Sequence, residues 1–306
     1  MRTPRALSIL MAGVTLTLVG AGPAPGNRMP ISELAVRSRG EWVTFWRSGE
    51  NRTSWLPDPR VITSVQWMPG AAGVMWAELP LQGNGEARRT RVVLVRIDPR
   101  RVRLELANGT TPGGFDAAWT IQSAPDRAVA AFNTGQFAGG KVWGWVVHDG
   151  VEYRSPGRGP LAIGVIIDST GMVRFTRDYT VGGVSEGFQS YPLLLENWKI
   201  PELLQAPSPF MDYGHRDARL AIGILPDSSL MVALTRFDGL GKSFGGIPFG
   251  LTVPEMAALM GALGCRDAVA LDGGVSAQLL VRDHSGRAHT WPGIRRVPLA
   301  LIAVPR

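Results

Sequence analysis

Residues 252–276 have the sequence TVPEMAALMGALGCRDAVALDGGVS, in which a helical pattern is followed by a strand pattern. Its first half predicts a helix over residues 254–263, where apolar side chains recur at helical spacing. Thr252 and Glu255 stand three residues apart, which is the spacing of a capping box at a helix N-terminus. Gly264 follows the last apolar residue and predicts the end of the helix.

The second half of the stretch predicts a buried strand that ends at an acid. Residues 268–271 are Ala-Val-Ala-Leu, and they lead to Asp272 followed by Gly273 and Gly274. An apolar strand that carries an acid to a glycine turn is a common way to present a functional carboxylate. A simple hairpin turn fits the local pattern equally well, so both interpretations stay open here.

Strand-like runs continue along most of the remaining chain. Residues 101–106, RVRLEL, alternate charged and apolar side chains as a half-exposed strand does. The chain has 38 glycines and 23 prolines among 306 residues without a short repeat, which favours many turns between short strands. These features predict an α+β fold, a strand-rich domain of curved mixed or antiparallel sheets packed on a few helices.

Composition excludes several classes of protein. With 45% hydrophobic and 19% charged residues the chain is globular and not disordered. Cys265 is the single cysteine, so neither a disulfide framework nor a cysteine zinc site is possible within the chain. Lysine occurs three times among 32 basic residues, and the many arginines are scattered, unlike a nucleic-acid-binding arm. A genome that favours arginine codons explains most of them, although arginine forks also suit an anionic substrate.

The N-terminus has the layout of a secretory signal. A short positive region over residues 1–5 precedes an apolar run over 6–19 and small residues up to Ala21. We expect a signal peptide over 1–21, a linker and N-terminal extension over 22–64, and the main domain over 65–306. An uncleaved membrane anchor is the alternative. Export without disulfides indicates a bacterial periplasmic or extracellular protein.

Four segments in a fixed order carry a family resemblance. They are AAFNTGQF at 130–137, SPGRG with AIG within 155–164, QSYPLLLEN with RLAIG within 189–223, and GLT with LDGGVS within 250–276. Together they resemble the phosphodiester glycosidase family, over roughly residues 65–304. The family's matching strand ends in Asn-Gly-Gly-Phe-Phe, and its glycine turn has the sequence Leu-Asp-Gly-Gly-Gly-Ser.

The resemblance implies an exported hydrolase that cleaves a sugar-1-phosphodiester at the anomeric carbon. An ordinary glycosidase uses two carboxylates, one of which protonates a poor leaving group. A phosphate monoester leaves readily, so such a site needs a cationic phosphate clamp and one base or nucleophile. The implied substrate is an envelope or extracellular glycan carrying a sugar phosphate.

Site residues follow from the same resemblance. Asp272 supplies the catalytic carboxylate, with Arg219 and Asn133 as the other catalytic positions. The expected substrate-binding residues are Arg158, Gly273, Gly274, Ser276, Gln189 and His215. Arg158 and Arg219 would form the phosphate clamp, because a planar fork holds two phosphate oxygens. The structural alternatives are that Arg219 pairs with Asp217 and that Asn133 only caps a turn.

Departures from the family pattern motivate a second hypothesis. Thr134 and Gln136 replace a glycine and an aromatic residue, Leu220 replaces a threonine, and Val275 replaces the third glycine. A non-catalytic protein that binds envelope glycans through a degenerate site would tolerate these changes. A side chain at Val275 would also disfavour the turn if the family glycine uses a positive φ.

A third, weaker hypothesis is an ordinary α-glycosidase that uses Asp272 with Glu196 or Asp238. In all three cases the expected partner is a carbohydrate or sugar phosphate, with no nucleic acid and no stable membrane insertion after signal cleavage. No cofactor or metal site is predicted, and a requirement for a divalent ion stays open.

Overall fold

The computed structural model describes residues 32–50, 54–109, 114–205, 212–237 and 249–306. Residues from Ser32 to Arg306 form one compact unit. The predicted signal peptide and Asp238 lie outside the described residues. Within the described part, no helix is both long and apolar enough to cross a membrane.

Strands dominate the described residues. The two α-helices are α1 (Pro59–Ser64) and α2 (Val253–Ala262). The strands are β1 (Glu33–Ser38), β2 (Glu41–Arg47), β3 (Met68–Pro69), β4 (Val74–Gly83), β5 (Thr90–Ile97), β6 (Val102–Ala107), β7 (Ala130–Asn133), β8 (Phe137–Ala138), β9 (Lys141–Val142), β10 (Val146–His148), β11 (Val151–Arg154), β12 (Ile163–Asp168), β13 (Val173–Thr176), β14 (Val184–Ser190), β15 (Leu193–Leu195), β16 (Leu220–Ile224), β17 (Leu230–Phe237), β18 (Asp267–Ala270), β19 (Leu279–Arg282), β20 (Ala288–Trp291) and β21 (Ala300–Pro305).

Three sheets and one short ribbon organise these strands. The large sheet has the order β15-β18-β16-β17-β5-β4-β1-β2, with β3 paired to β4. Two further sheets have the orders β11-β10-β14-β12-β13 and β20-β19-β7-β21-β6, and β8 pairs with β9. All strand pairings among the described residues are antiparallel.

The strand-rich prediction is confirmed, whereas the α+β class overstated the helices. The described helices span only six and ten residues, so the domain is mostly β. The sequence left mixed and antiparallel sheets open, and the described sheets are antiparallel. Alternating apolar residues identify strands, but they do not encode strand direction, which depends on the connections.

The large sheet is buried on both faces. Val93 and Val95 of β5 pack in a cluster that includes residues of β7, β12 and β21. Val92 and Leu94 point the other way, into a cluster that includes most of α2. Each such buried side chain contributes about 1.5–3 kcal/mol relative to exposure. Two-sided burial explains why β5 is a continuous apolar run without alternation.

Helix α2 begins with the predicted capping box. The Thr252 hydroxyl accepts from the Glu255 amide at 3.3 Å, and the Glu255 carboxylate accepts from the Thr252 amide at 2.9 Å. The helix begins one residue before the predicted start and ends one residue early, and Gly264 has φ +95°. The carboxylate of Glu255 is fully buried and also receives both terminal nitrogens of Arg216 at 2.7 Å.

The predicted N-terminal extension contains structure that packs on this helix. Strands β1 and β2 extend the large sheet at its edge beside β4. The Ser32 hydroxyl donates to Glu255 and accepts from Arg216. Gly261 lies so close to Trp55 that an added Cβ would come within 2.4 Å of its side chain. The boundary at residue 65 stays a prediction.

The capping network gives a graded stability prediction. Thr252→Ala removes one cap bond and should lower the free energy of unfolding by about 1 kcal/mol. Glu255→Ala should lower it by about 3–5 kcal/mol, because it leaves the Arg216 charge without its buried partner. Urea unfolding measures both values, with Thr252→Ser as the control that keeps the cap. An equal loss for the two alanine variants would contradict this ranking.

Candidate active site

Asp272 sits where strands of two different sheets end. It follows β18 of the large sheet, and its amide donates to the carbonyl of Thr134, just beyond β7, at 2.9 Å. The Asn133 side chain donates to the Asp272 carbonyl at 2.7 Å and accepts from the Gln278 amide at 2.9 Å. Asn133 is fully buried with both ends of its amide bonded to the backbone. It therefore positions the Asp272 turn.

The carboxyl group of Asp272 is perturbed. Burial raises its pKa to about 6, and the neighbouring Asp217 charge acts in the same direction. A hydrogen bond with the Ser276 side chain and the positive charge of Arg295 oppose this rise in pKa. The group is therefore ionised at neutral pH but gains a proton under mildly acidic conditions. Perturbed carboxyls in polar clefts are typical of functional sites.

The two glycines allow the turn to lie against residues 217 and 218. A Cβ on Gly273 would come within 2.5 Å of the Ala218 carbonyl oxygen, and one on Gly274 within 2.9 Å of an Asp217 carboxylate oxygen. Gly274 has φ +58° and donates to the Ala218 carbonyl at 2.7 Å. The positive φ falls on Gly274 and not on Val275, so the valine needs no left-handed backbone.

Arg219 comes directly before β16, and its Cα lies near Gly273 of this turn. Its Nε donates to the Leu251 carbonyl at 2.8 Å, and Nη2 donates to the His215 carbonyl. Burial lowers the pKa of Arg219, while the charge of Asp217 raises it. The pKa of Asp217 is itself raised by burial, against the pull of Arg219 and His215. Arg219 thus faces an acid, with two of its nitrogens held by carbonyls.

Gln189 holds a loop in place. It is almost fully buried, and its oxygen accepts from the amides of Gly157 and Trp145 at 2.7 and 3.1 Å. Its nitrogen donates to the Gly157 carbonyl at 3.0 Å. Arg158 follows this clamped glycine and is exposed, as is His215 in its own loop. The amide of Gln189 therefore acts on the loop that carries Arg158.

Two residues near Asp272 received no role from the sequence. Tyr191 is close enough that burial and the Asp272 charge both raise its pKa. Gln136, one of the departures, binds the Tyr191 backbone twice, accepting from its amide at 3.1 Å and donating to its carbonyl. Arg295 is the second residue. In the sequence, nothing distinguishes Arg295 from the many other arginines of the chain.

The candidate partner Glu196 lies away from Asp272. Strand β15 runs antiparallel to β18, with Leu193 opposite Val269 and Leu195 opposite Ala268. Glu196 therefore follows β15 at the end where β18 begins, and Asp272 follows β18 at the other end. Glu196 is paired with Arg177.

One cluster of possible metal ligands lies among the described residues, outside the Asp272 turn. His148, Asp149 and Glu186 place one ligand atom each within 4.8 Å of one another. The His148 ring nitrogen Nδ1 is 2.9 Å from the buried Glu186 carboxylate, while Asp149 is 83% exposed. The closest pair is a histidine–carboxylate hydrogen bond that spans β10 and β14.

A family model for phosphodiester glycosidases matches residues 126–304, which include all of the turn and its neighbours. The chain belongs to the phosphodiester glycosidase family. No curated protein sequence matches the chain significantly.

One solved structure resembles this chain in its fold, and a second is only a weaker match. The zebrafish N-acetylglucosamine-1-phosphodiester α-N-acetylglucosaminidase catalytic domain, auto-inhibited by its pro-peptide, matches with a TM-score of 0.55 and 15% identity. The match covers 84% of this chain and 96% of that domain. A putative exported protein from Burkholderia pseudomallei matches with a TM-score of 0.47 and 17% identity, over 74% of this chain and 77% of that protein.

The raised pKa of Asp272 predicts that the stability of the protein depends on pH. The native Asp272 takes up its proton near pH 6, whereas the unfolded group does so near its ordinary value of 3.8. Native protein therefore binds more protons between these values, and stability falls as pH rises through them. Asp272→Asn removes this loss and should stabilise the protein by about 1–3 kcal/mol at pH 7.5.

Urea unfolding at pH 5 and pH 7.5 measures this difference. The gain of Asp272→Asn over the native chain should be larger at pH 7.5, because more of the native carboxyl is then ionised. A gain that is equal at both values, or absent at pH 7.5, would show that burial of Asp272 does not perturb its titration.

Proposed function

We propose that this protein is an exported hydrolase that cleaves the anomeric bond of a sugar-1-phosphodiester in an envelope or extracellular glycan. The observation that carries the proposal is the half-buried Asp272 carboxyl group at a glycine turn, whose pKa is raised to about 6 by desolvation. Family membership supports the reaction class. The N-terminal signal pattern supports export.

The chemistry asks one ionised carboxylate to act at the sugar C1 atom. Asp272 either attacks C1 directly or takes a proton from a water that does so. A C1–O bond forms, the C1–O(phosphate) bond breaks, and its electron pair leaves on the phosphate monoester. Where Asp272 itself forms the new bond, a water then attacks C1, the C1–O(Asp272) bond breaks, and the carboxylate is released. Because that group leaves as a stable anion, no second acid is required. The Ser276 hydroxyl bond holds the carboxylate in one orientation.

Arg219 suits the stabilisation of charge at this site. Its guanidinium is held by the carbonyls of Leu251 and His215, so its position is fixed before substrate arrives. Fixed donors of this kind stabilise developing negative charge without reorganisation. Asn133 contributes by holding the Asp272 carbonyl, and Gln189 by holding the loop of Arg158.

The departures from the family pattern are compatible with activity. Thr134 donates its hydroxyl to the Leu299 carbonyl at 3.2 Å, and Leu220 lies fully buried in the core. Gln136 holds Tyr191, and Val275 has no positive φ. All four residues thus have structural places that leave the Asp272 carboxylate free. This favours an enzyme over a glycan-binding protein with a degenerate site.

The proposal predicts complete dependence on Asp272. A sugar 1-(4-nitrophenyl phosphate) should release 4-nitrophenyl phosphate, and Asp272→Ala should lower kcat/KM at least 1,000-fold in a folded protein, because the base or nucleophile is gone. The native kcat/KM should rise with pH through about 6 and level off, as Asp272 ionises.

The matched control is Glu196→Gln, which should keep native activity. Glu196 is an acid beside the start of β18, whereas Asp272 follows the end of that strand. Full activity of Asp272→Ala would overturn the proposed role. Equal hydrolysis of an aryl glycoside without phosphate would instead favour an ordinary glycosidase.

A further inference from the structure

A cleft opens beside the Asp272 turn. It has a volume of about 400 Å³ and is lined by Ala117, Phe137, Gly139, Gly140, Arg295 and Arg296. The two glycines form the turn between β8 and β9 and both have positive φ, which leaves this wall without side chains. The size suits a small organic anion or a sugar phosphate.

The backbone of Arg295 is fastened directly to the catalytic turn. The amides of Ile294 and Arg295 both donate to the Val275 carbonyl, at 2.7 and 3.0 Å. Gln278, whose own amide binds Asn133, donates its side-chain nitrogen to the Arg295 carbonyl at 3.3 Å. The cleft therefore keeps a fixed relation to the Asp272 turn through the backbone.

The charges in the cleft are available to a ligand. Arg295 and Arg296 are exposed, and within the described ranges neither guanidinium forms an ion pair. The Arg295 guanidinium lies 5.8 Å from the centroid of the Phe137 ring, which favours a defined orientation. By contrast, Arg216 is paired with the carboxylate of Glu255.

Arg295 also acts electrostatically on the catalytic acid. Its positive charge opposes the rise in the pKa of Asp272, and neither Arg219 nor Arg158 has a comparable influence on it. The two groups form no ion pair. A group that reaches from C1 beside Asp272 toward Arg295 would thus meet a positive charge.

We propose that Arg295 and Arg296 form the leaving-group subsite, which binds the phosphate monoester half of the substrate. This inference rests on the proposed function, because it concerns the same reaction. When the C1–O(phosphate) bond breaks, the phosphate gains a second negative charge, and two unpaired arginines stabilise that dianion better than the monoanionic diester. Phe137 offers an apolar surface to whatever the phosphate carries.

Binding of the product tests this assignment without turnover. Calorimetry with 4-nitrophenyl phosphate and with inorganic phosphate should detect binding to the native protein. Arg295→Ala/Arg296→Ala should weaken both at least tenfold. The control is Arg287→Ala, an exposed arginine at the tip of the β19–β20 hairpin, at the opposite end of β19, which should bind as the native chain does.

Kinetics separates the subsite from the proposed function. In an active enzyme, the double variant should lower kcat/KM for the phosphodiester at least tenfold and raise the inhibition constant of 4-nitrophenyl phosphate. Arg295→Lys should have a kcat/KM between those of the double variant and the native chain, since the point charge of lysine replaces the planar fork of arginine. Native-like phosphate binding and inhibition in the double variant would overturn the subsite while leaving the hydrolase proposal intact. A third outcome is that the native protein binds phosphate without turnover and that the double variant loses this binding. That result would support the phosphate subsite and contradict only the hydrolase proposal.

Discussion

One buried amide joins the parts on which the site depends. Asn133, at the end of β7, binds the carbonyl of Asp272 beyond β18 and the amide of Gln278 before β19. These are backbone groups of two different sheets, so their relative position is fixed at the point where Asp272, the candidate catalytic acid, lies. A buried amide with both ends satisfied costs little, whereas the orphaned groups left by its loss would cost about 1–3 kcal/mol each.

At this junction the fold destabilises the ionised form of the Asp272 carboxyl group. A carboxyl group placed against a second acid and away from water is less stable when ionised, which is why its pKa rises to about 6. The buried acid Glu255 is instead surrounded by hydrogen-bond donors. Glu255 receives Arg216, Ser32 and the Thr252 amide. The contrast between a fully compensated acid and a partly compensated one distinguishes the structural carboxylate from the candidate catalytic one.

The part of the fold that sequence predicted is the part built from near neighbours. Thr252 and Glu255 are three residues apart, and their reciprocal bonds form as the capping box requires. The N-terminal strands lacked any such signal, because β1 depends on its pairing with β4 and on the bonds that the adjacent Ser32 makes with Glu255 and Arg216. Asn133 and Gln189 were expected at the site for their polar side chains, yet both bind backbone groups, through partners as far as 145 residues away in the chain.

Local sequence patterns predict the short strands, the capped helix and the position of Asp272 at a glycine turn, since periodicity and turn chemistry act over a few residues. The charges around that acid come instead from segments that are far apart in the chain and meet when it folds. The tertiary structure brings the charges of Asp217 and Arg295 to bear on Asp272, and it puts Glu196 beside the opposite end of β18. Burial and Coulomb interactions depend on distance through space, and local sequence patterns carry no such distances.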